Sequence, residues 1–221
     1  MFELPLFPLN LVLMPFQPLA LHIFEERYKQ MMQRCISTDS PFGIVLLEQG
    51  AAEEERSRRP AKPYMVGTTA HISQVQQLNE GRMNIIVVGR ERFRIHELRD
   101  DQPYLVGMVE YEPMQPPGLV IPDGSVRGLS QSVARYLKVL EQSGRIQPSA
   151  RALPDDPATL AFLASALLHD ISNEQRQTLL ESPTLTTMIE ELRAIYRREV
   201  VLLQAMLSST NDDDPLPFSS N

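Results

Sequence analysis

Met83-Asn84-Ile85-Ile86-Val87-Val88-Gly89-Arg90-Glu91-Arg92-Phe93-Arg94-Ile95 is the stretch on which the fold turns. Ile85 to Val88 are apolar without a break, which suits a strand covered on both faces. Beyond them, Arg90, Arg92 and Arg94 share one parity, while Phe93 and Ile95 take the other. Gly89 between the two halves is the expected bulge. Just upstream, Asn79-Glu80-Gly81 reads as a hairpin turn, because Gly81 takes φ > 0 without steric cost. The other arm of that hairpin is residues 65–75, with Val66, Thr68, Ala70 and Ile72 on one parity. Residues 105–111 form a further strand downstream, and residues 42–47 a short apolar one upstream. Strands joined by hairpins predict a largely antiparallel, curled sheet.

Further upstream, residues 4–19 are apolar but carry Pro5, Pro8, Pro15 and Pro18. Each proline removes a backbone donor and fixes φ, so a helix is excluded and a central strand is not expected. The segment reads as a short edge strand followed by an extended stretch lying across a core. From Glu25 the period changes: Tyr28, Met31, Met32, Cys35 and Ile36 form the stripe of an amphipathic helix, with Glu25 and Glu26 complementing the dipole of its first turn. Residues 48–64 include Glu53-Glu54-Glu55-Arg56-Ser57-Arg58-Arg59-Pro60, a charged loop without an apolar anchor.

Downstream, the six Pro and Gly residues from Pro113 to Gly124 mark a boundary, and the chain beyond it has a helical period. Val126, Leu129, Val133, Leu137 and Leu140 mark one helix. Asp156-Pro157 is a cap with proline at the first helical position, opening an almost wholly apolar helix to Leu168. Ser172-x-x-Gln175 is a capping box, and Leu185, Met188, Ile189, Leu192, Ile195, Tyr196, Leu203 and Met206 give the longest stripe. The fold class expected is α+β. A curled antiparallel β-subdomain with one inserted helix occupies 1–112, a Pro-rich linker 113–124, a helical bundle 125–207 and a disordered tail 208–221. The charged loop and the tail are the expected first sites of proteolysis.

The chemistry is sparse. Net charge is −7 over 221 residues, which argues against a chain built mainly for nucleic acid or an anionic membrane. A single cysteine, no basic leader and no uncharged apolar run of spanning length give the expectation of a cytoplasmic protein. Lys29, Lys62 and Lys138 are the only lysines, and none sits in a Gly-Lys-Ser/Thr phosphate loop. His22, His71, His96 and His169 have no metal-ligand spacing, so neither metal nor cofactor is expected. His169-Asp170 ends a helix, where histidine complements the dipole. Cys35 lies on a core stripe, and the acidic runs sit in unanchored segments, so no catalytic residue is assigned. The row Arg90, Arg92, Arg94 is one cationic feature of a strand, more readily a solvated face than a phosphate contact.

The run Leu4-Pro5-Leu6-Phe7-Pro8-Leu9, then Pro15 and Leu21-His22-Ile23-Phe24-Glu25-Glu26-Arg27-Tyr28, resembles the start of the N-terminal substrate-recognition domain of Lon proteases. The resemblance continues in order through Val66-Gly67-Thr68-Thr69-Ala70-His71-Ile72, Gly81 to Ile85, Val88 to Ile95 and Pro103-Tyr104-Leu105. It extends to Leu160 to Leu167 and Gln175-x-x-Leu179-Leu180-Glu181, covering roughly residues 2 to 205. It implies a PUA-like β-subdomain followed by a helical bundle. Neither the ATPase module nor the Ser-Lys protease module of a full-length Lon is represented, so the expectation is a free-standing, non-enzymatic substrate-binding domain.

The leading reading is a polypeptide-binding or adaptor protein of protein quality control or regulated proteolysis. Its partners would be unfolded or flexible polypeptide and a separate protease or ATPase, with no membrane. The expected docking surface is Phe16 and Leu19 beside Phe24, Glu26 and Arg27, since Tyr28 starts the buried stripe and turns its two predecessors outward. The alternative is a PUA-like RNA-binding module using Arg90, Arg92 and Arg94.

Overall fold

The computed structural model describes residues 1–48, 62–114, 121–147, 152–168 and 170–211. Residues 49–61 of the charged loop, 115–120 of the expected linker, His169 and residues 212–221 of the expected tail therefore lie outside the described residues. The chain resolves into two compact units, Met1–Leu119 with Phe162–Thr184, and Val120–Ala161 with Leu185–Asn221.

The first unit is built on a six-stranded sheet. Its strands are β1 (Phe2–Leu9), β2 (Pro18–Ile23), β3 (Phe42–Leu46), β4 (Val66–Gln77), β5 (Met83–Arg99) and β6 (Val106–Tyr111), in the order β2-β5-β4-β3-β1-β6. A further β5–β6 pairing curls the sheet closed and leaves β2 as an edge. Every pairing between these strands is antiparallel except β1–β3.

The expectation of an edge strand at the N-terminus is corrected, because β1 lies between β3 and β6 in spite of Pro5 and Pro8. Its two halves use different edges: Phe2 to Pro5 pair with β6, and Leu6 to Leu9 pair with β3. Leu6 N donates to Leu105 O at 2.8 Å, so the period of two turns the missing donor of Pro5 away from β6. Leu9 O accepts from Leu47 N at 3.0 Å, and the same parity turns Pro8 away from β3. Each proline thus places its missing N–H on the side that has no partner, which is how a strand this interior tolerates two of them.

The β4–β5 hairpin has the expected turn, and both Glu80 (φ 63°) and Gly81 (φ 70°) adopt the left-handed region. The ladder slips between Thr68 and Ala70, opposite Arg92 and Gly89, which places the bulge where the glycine predicts it. Gly89 also meets a close approach, since a Cβ there would lie 2.4 Å from Met14 O. Helix α1 (Glu26–Thr38) buries Tyr28, Met31, Met32 and Cys35 against the sheet, whereas Ile36 falls outside the stripe and is exposed.

The region expected as one bundle is shared between the units. Helix α2 (Asp123–Gln142) begins inside the expected linker and packs against α5 (Leu185–Asn211) in the second unit. Tyr136 and Tyr196 meet edge to face there, with ring centroids 5.2 Å apart. Tyr136 is buried and Leu137 only partly so, which turns the α2 stripe by one residue. Met206 is exposed rather than core, and the α5 backbone stays helical to Asn211, past the expected start of a disordered tail.

Helix α3 (Pro157–Leu167) is divided between the units, while α4 (Asn173–Leu180) belongs with the sheet. Polar anchors explain the second assignment. Gln177 Nε2 donates to Val66 O at 3.0 Å, and Arg92 Nη1 donates to Leu180 O at 2.8 Å and Ser182 O at 2.7 Å.

Candidate functional site

A groove of about 810 Å³ opens where β2 ends and α1 begins. Phe7 to Leu9 of β1 form one wall and Leu21 to Phe24 the other, with Pro103 to Leu105 beside them. The groove therefore lies along the second half of β1, where that strand has no β6 partner. Its floor is aromatic: the Phe7 and Tyr28 rings are 4.2 Å apart, and behind them the fully buried Phe42 ring lies 6.2 Å from that of Phe7.

The rim is polar. Glu25 is the N-cap of α1 but makes no side-chain cap bond, because its carboxylate turns to Arg27 instead. Arg27 Nε donates to Glu25 Oε2 at 2.9 Å, and Nη2 lies 2.8 Å from the same oxygen. The guanidinium sits 4.5 Å from the centre of the Tyr28 ring, so it roofs the aromatic floor while half its surface faces solvent. On α1, Arg34 Nη1 donates to Tyr104 Oη at 3.2 Å and ties the 102–105 segment to that helix. That bond raises the Arg34 guanidinium above its ordinary value. Cys35, one residue on, has its thiol pushed up by burial, consistent with a core residue and not a nucleophile.

Of the expected polypeptide-binding residues, the structure brings Phe24 and Arg27 to this groove. Phe24 is 61% exposed and stacks on His22, with ring centroids 5.9 Å apart. Glu26 does not line it: its carboxylate pairs with Lys29 Nζ at 2.7 Å, and the same ammonium donates to Glu80 O at 3.1 Å. Leu19 is half-buried against the core of the sheet. Phe16 precedes the far end of β2, so the six residues of that strand, roughly 20 Å, separate it from Phe24. It holds φ at 64° and packs against Phe162 with ring centroids 5.8 Å apart. Phe7, Tyr28 and Tyr104 were missed as lining residues. Their apolar spacing marks them as core, and only the half of β1 without a β6 partner opens them to a groove.

The arginine row is corrected at its centre. Arg90 and Arg94 are exposed, and Arg94 Nη2 pairs with Glu112 Oε1 at 2.9 Å. Arg92 is buried, and its Nε donates to Glu112 O at 2.8 Å while Nη1 serves the two carbonyls at the end of α4. Burial lowers its guanidinium below the ordinary value, with Glu112 opposing the shift. The parity is as expected, but the α4–α5 connection covers that part of the strand face.

Among the described residues, no group of three or more His, Cys, Asp or Glu side chains is placed to hold a metal ion. No described helix is long and apolar enough to cross a membrane.

The profile of the ATP-dependent protease La (LON) substrate-binding domain matches residues 3–198. Lon protease 2 of Herpetosiphon aurantiacus is 31% identical over 209 residues, covering 91% of this chain and 24% of its own length. The Lon protease of Escherichia coli is 24% identical over 207 residues, covering 91% of this chain and 25% of its own length. This chain thus spans about a quarter of the length of the curated relatives it matches. Among solved structures, a Lon N-terminal domain protein from Xanthomonas campestris superposes with a TM-score of 0.66 at 27% identity, covering 88% of this chain and 98% of that one. The N-terminal domain of a Mycobacterium avium complex Lon protease gives a TM-score of 0.60 at 17% identity over 90% of this chain and 98% of that one, a likeness of fold. With the profile running through both compact units, the chain belongs to the family of Lon protease substrate-binding domains.

Proposed function

We propose that this chain is a non-catalytic polypeptide-binding module that takes up flexible segments of client proteins and serves protein quality control or regulated proteolysis with a separate protease or ATPase. The groove between β1 and β2 carries the reading. It combines an aromatic floor (Phe7, Tyr28) with an exposed apolar lip (Phe24) and a charged roof (Arg27). A flexible segment offers both apolar side chains and unpaired backbone, which a floor and rim of this kind complement. Kinship with the substrate-binding domain of Lon supports the same client class.

The RNA alternative loses the middle of its cationic row to burial, which leaves two separated guanidiniums on an acidic chain. Fluorescence anisotropy with a reduced, carboxymethylated test protein checks the polypeptide reading. Phe24→Ala combined with Arg27→Ala is expected to weaken binding about tenfold, from lost apolar area and a lost cation. Glu26→Ala should leave it unchanged. Equal affinity for the double variant and the wild type, with equal melting temperatures, would remove the groove from consideration.

A further inference from the structure

We propose that the outer edge of β2 is a docking strand: an extended client segment adds to the sheet there by backbone pairing, with a basic side chain at the end facing Asp100. This rests on the polypeptide reading above and names how the segment is held.

Backbone parity is the first support. β2 pairs antiparallel with β5 from Pro18 opposite Val88 to Ile23 opposite Met83, and it has no second strand neighbour among the described residues. Gly89 N donates to Gln17 O at 3.0 Å, one step beyond that register. In an antiparallel ladder, residues bonded to the partner alternate with residues whose groups point away. Leu19, Leu21 and Ile23 therefore bond β5, while Pro18, Ala20 and His22 face outward. Pro18 fits this phase, since its missing donor falls on the open side. Ala20 and His22 are exposed, and neither makes another backbone bond among the described residues. Donors and acceptors alternating at strand spacing are matched by another extended backbone and by little else. The edge carries no lysine, and its only proline stands at one end, so the usual devices that block strand addition are nearly absent.

The flanks of the edge supply pockets for both side-chain parities of an added strand. On one side lies the groove lined by Leu21, His22 and Ile23. On the other, a smaller groove of about 480 Å³ runs from Ala20, Leu21 and His22 to Val75 and Ile86, which are 40% and 37% exposed. Alternate side chains of a strand point to opposite faces and so reach the two grooves in turn.

Charge completes the match. Glu25 and Arg27 neutralise each other at the rim, while Asp100, also on the groove, has no ion-pair partner among the described residues. The uncompensated carboxylate selects a lysine or arginine on the incoming segment.

The test uses a short fluorescein-labelled peptide of alternating valine and threonine with a terminal lysine, bound to the full chain. Two further versions carry N-methyl groups on alternate residues, one in each phase. Edge pairing uses one phase only, so one version should bind about ten- to a hundredfold more weakly and the other nearly as well as the parent. Ala20→Pro, in the same outward phase as Pro18, should melt like the wild type and lose peptide affinity by about tenfold or more. Both methylated peptides binding like the parent, with a folded Ala20→Pro as tight as the wild type, would overturn strand pairing and leave groove binding intact. A wild-type chain that binds neither this peptide nor the carboxymethylated test protein removes both readings. If Ala20→Pro does not fold, the methylated pair decides on the wild-type chain alone. A wild-type dimer that Ala20→Pro abolishes and the peptide does not dissociate would assign the edge to a second copy and overturn the proposal. Equal affinity for lysine-ended and glutamate-ended peptides would overturn the charge assignment.

Discussion

Arg92 shows how one residue's meaning changes with what lies over it. On a bare strand it would be the centre of a cationic row. In the folded chain it supplies three donors to carbonyls of Glu112, Leu180 and Ser182. Buried carbonyls that lose their donor bear most of the desolvation cost, so the residue matters more through what it leaves unpaired than through its charge. Arg92→Ala is expected to cost about 3 kcal/mol in urea denaturation. Arg94→Ala removes only a half-exposed pair with Glu112 and should cost less than about 1 kcal/mol. Equal losses for the two variants would mean that Arg92 is not the fastener of the α4–α5 connection.

At the scale of elements, helix starts are set by local chemistry that leaves a signature in sequence. Ser172 and Gln175 form the full capping box of α4: Gln175 N donates to Ser172 Oγ at 3.2 Å, and Ser172 N donates to Gln175 Oε1 at 3.1 Å. Asp156 caps α3 through Thr159, whose N–H and hydroxyl donate to Oδ2 at 2.8 and 2.7 Å. Those bonds hold the Asp156 carboxyl below the usual carboxylate range. A group with a depressed folded-state pKa stabilises above its unfolded value, and the contribution fades as pH falls through the folded one. Asp156→Ala should therefore cost about 1 kcal/mol at neutral pH. The gap to the wild type should begin to close below about pH 4. Urea midpoints of both proteins across that range measure it, and a gap that stays constant at low pH would exclude the carboxylate as its source.

For the whole molecule, charge and topology decide which partners fit. The chain is acidic at −7, its cationic row is interrupted, and among the described residues β2 leaves one strand edge unpaired. Affinity for single-stranded RNA at about 0.15 M salt should be weaker than micromolar and barely altered in Arg90→Ala/Arg94→Ala. Sub-micromolar binding that this double variant loses would return the RNA reading to first place. The same closed sheet explains why β1 can be interior and proline-bearing. Closure through β6 gives its first half one partner, and β3 gives its second half another.

The sequence by itself determined the features that neighbouring residues decide. The β4–β5 hairpin with its turn at Gly81, the bulge at Gly89, the α1 stripe from Tyr28 to Cys35 and the two helix caps rest on contacts a few residues apart, so spacing and residue type suffice to show them. The order of the family's motifs was legible for the same reason. The candidate groove was legible only in part: Phe24 and Arg27 declare themselves as exposed residues beside a buried stripe, while Phe7 and Tyr104 look like core. Tertiary structure alone decided the rest. Arg92 meets Leu180 across 88 residues, and Gln177 meets Val66 across 111. The parallel β1–β3 pairing likewise joins strands that no hairpin links. Alternation along a strand says which side chains share a face, but not which later segment covers that face or which edge stays open. Those outcomes depend on distant parts of the chain competing to bury the same surface, and no local period records who wins.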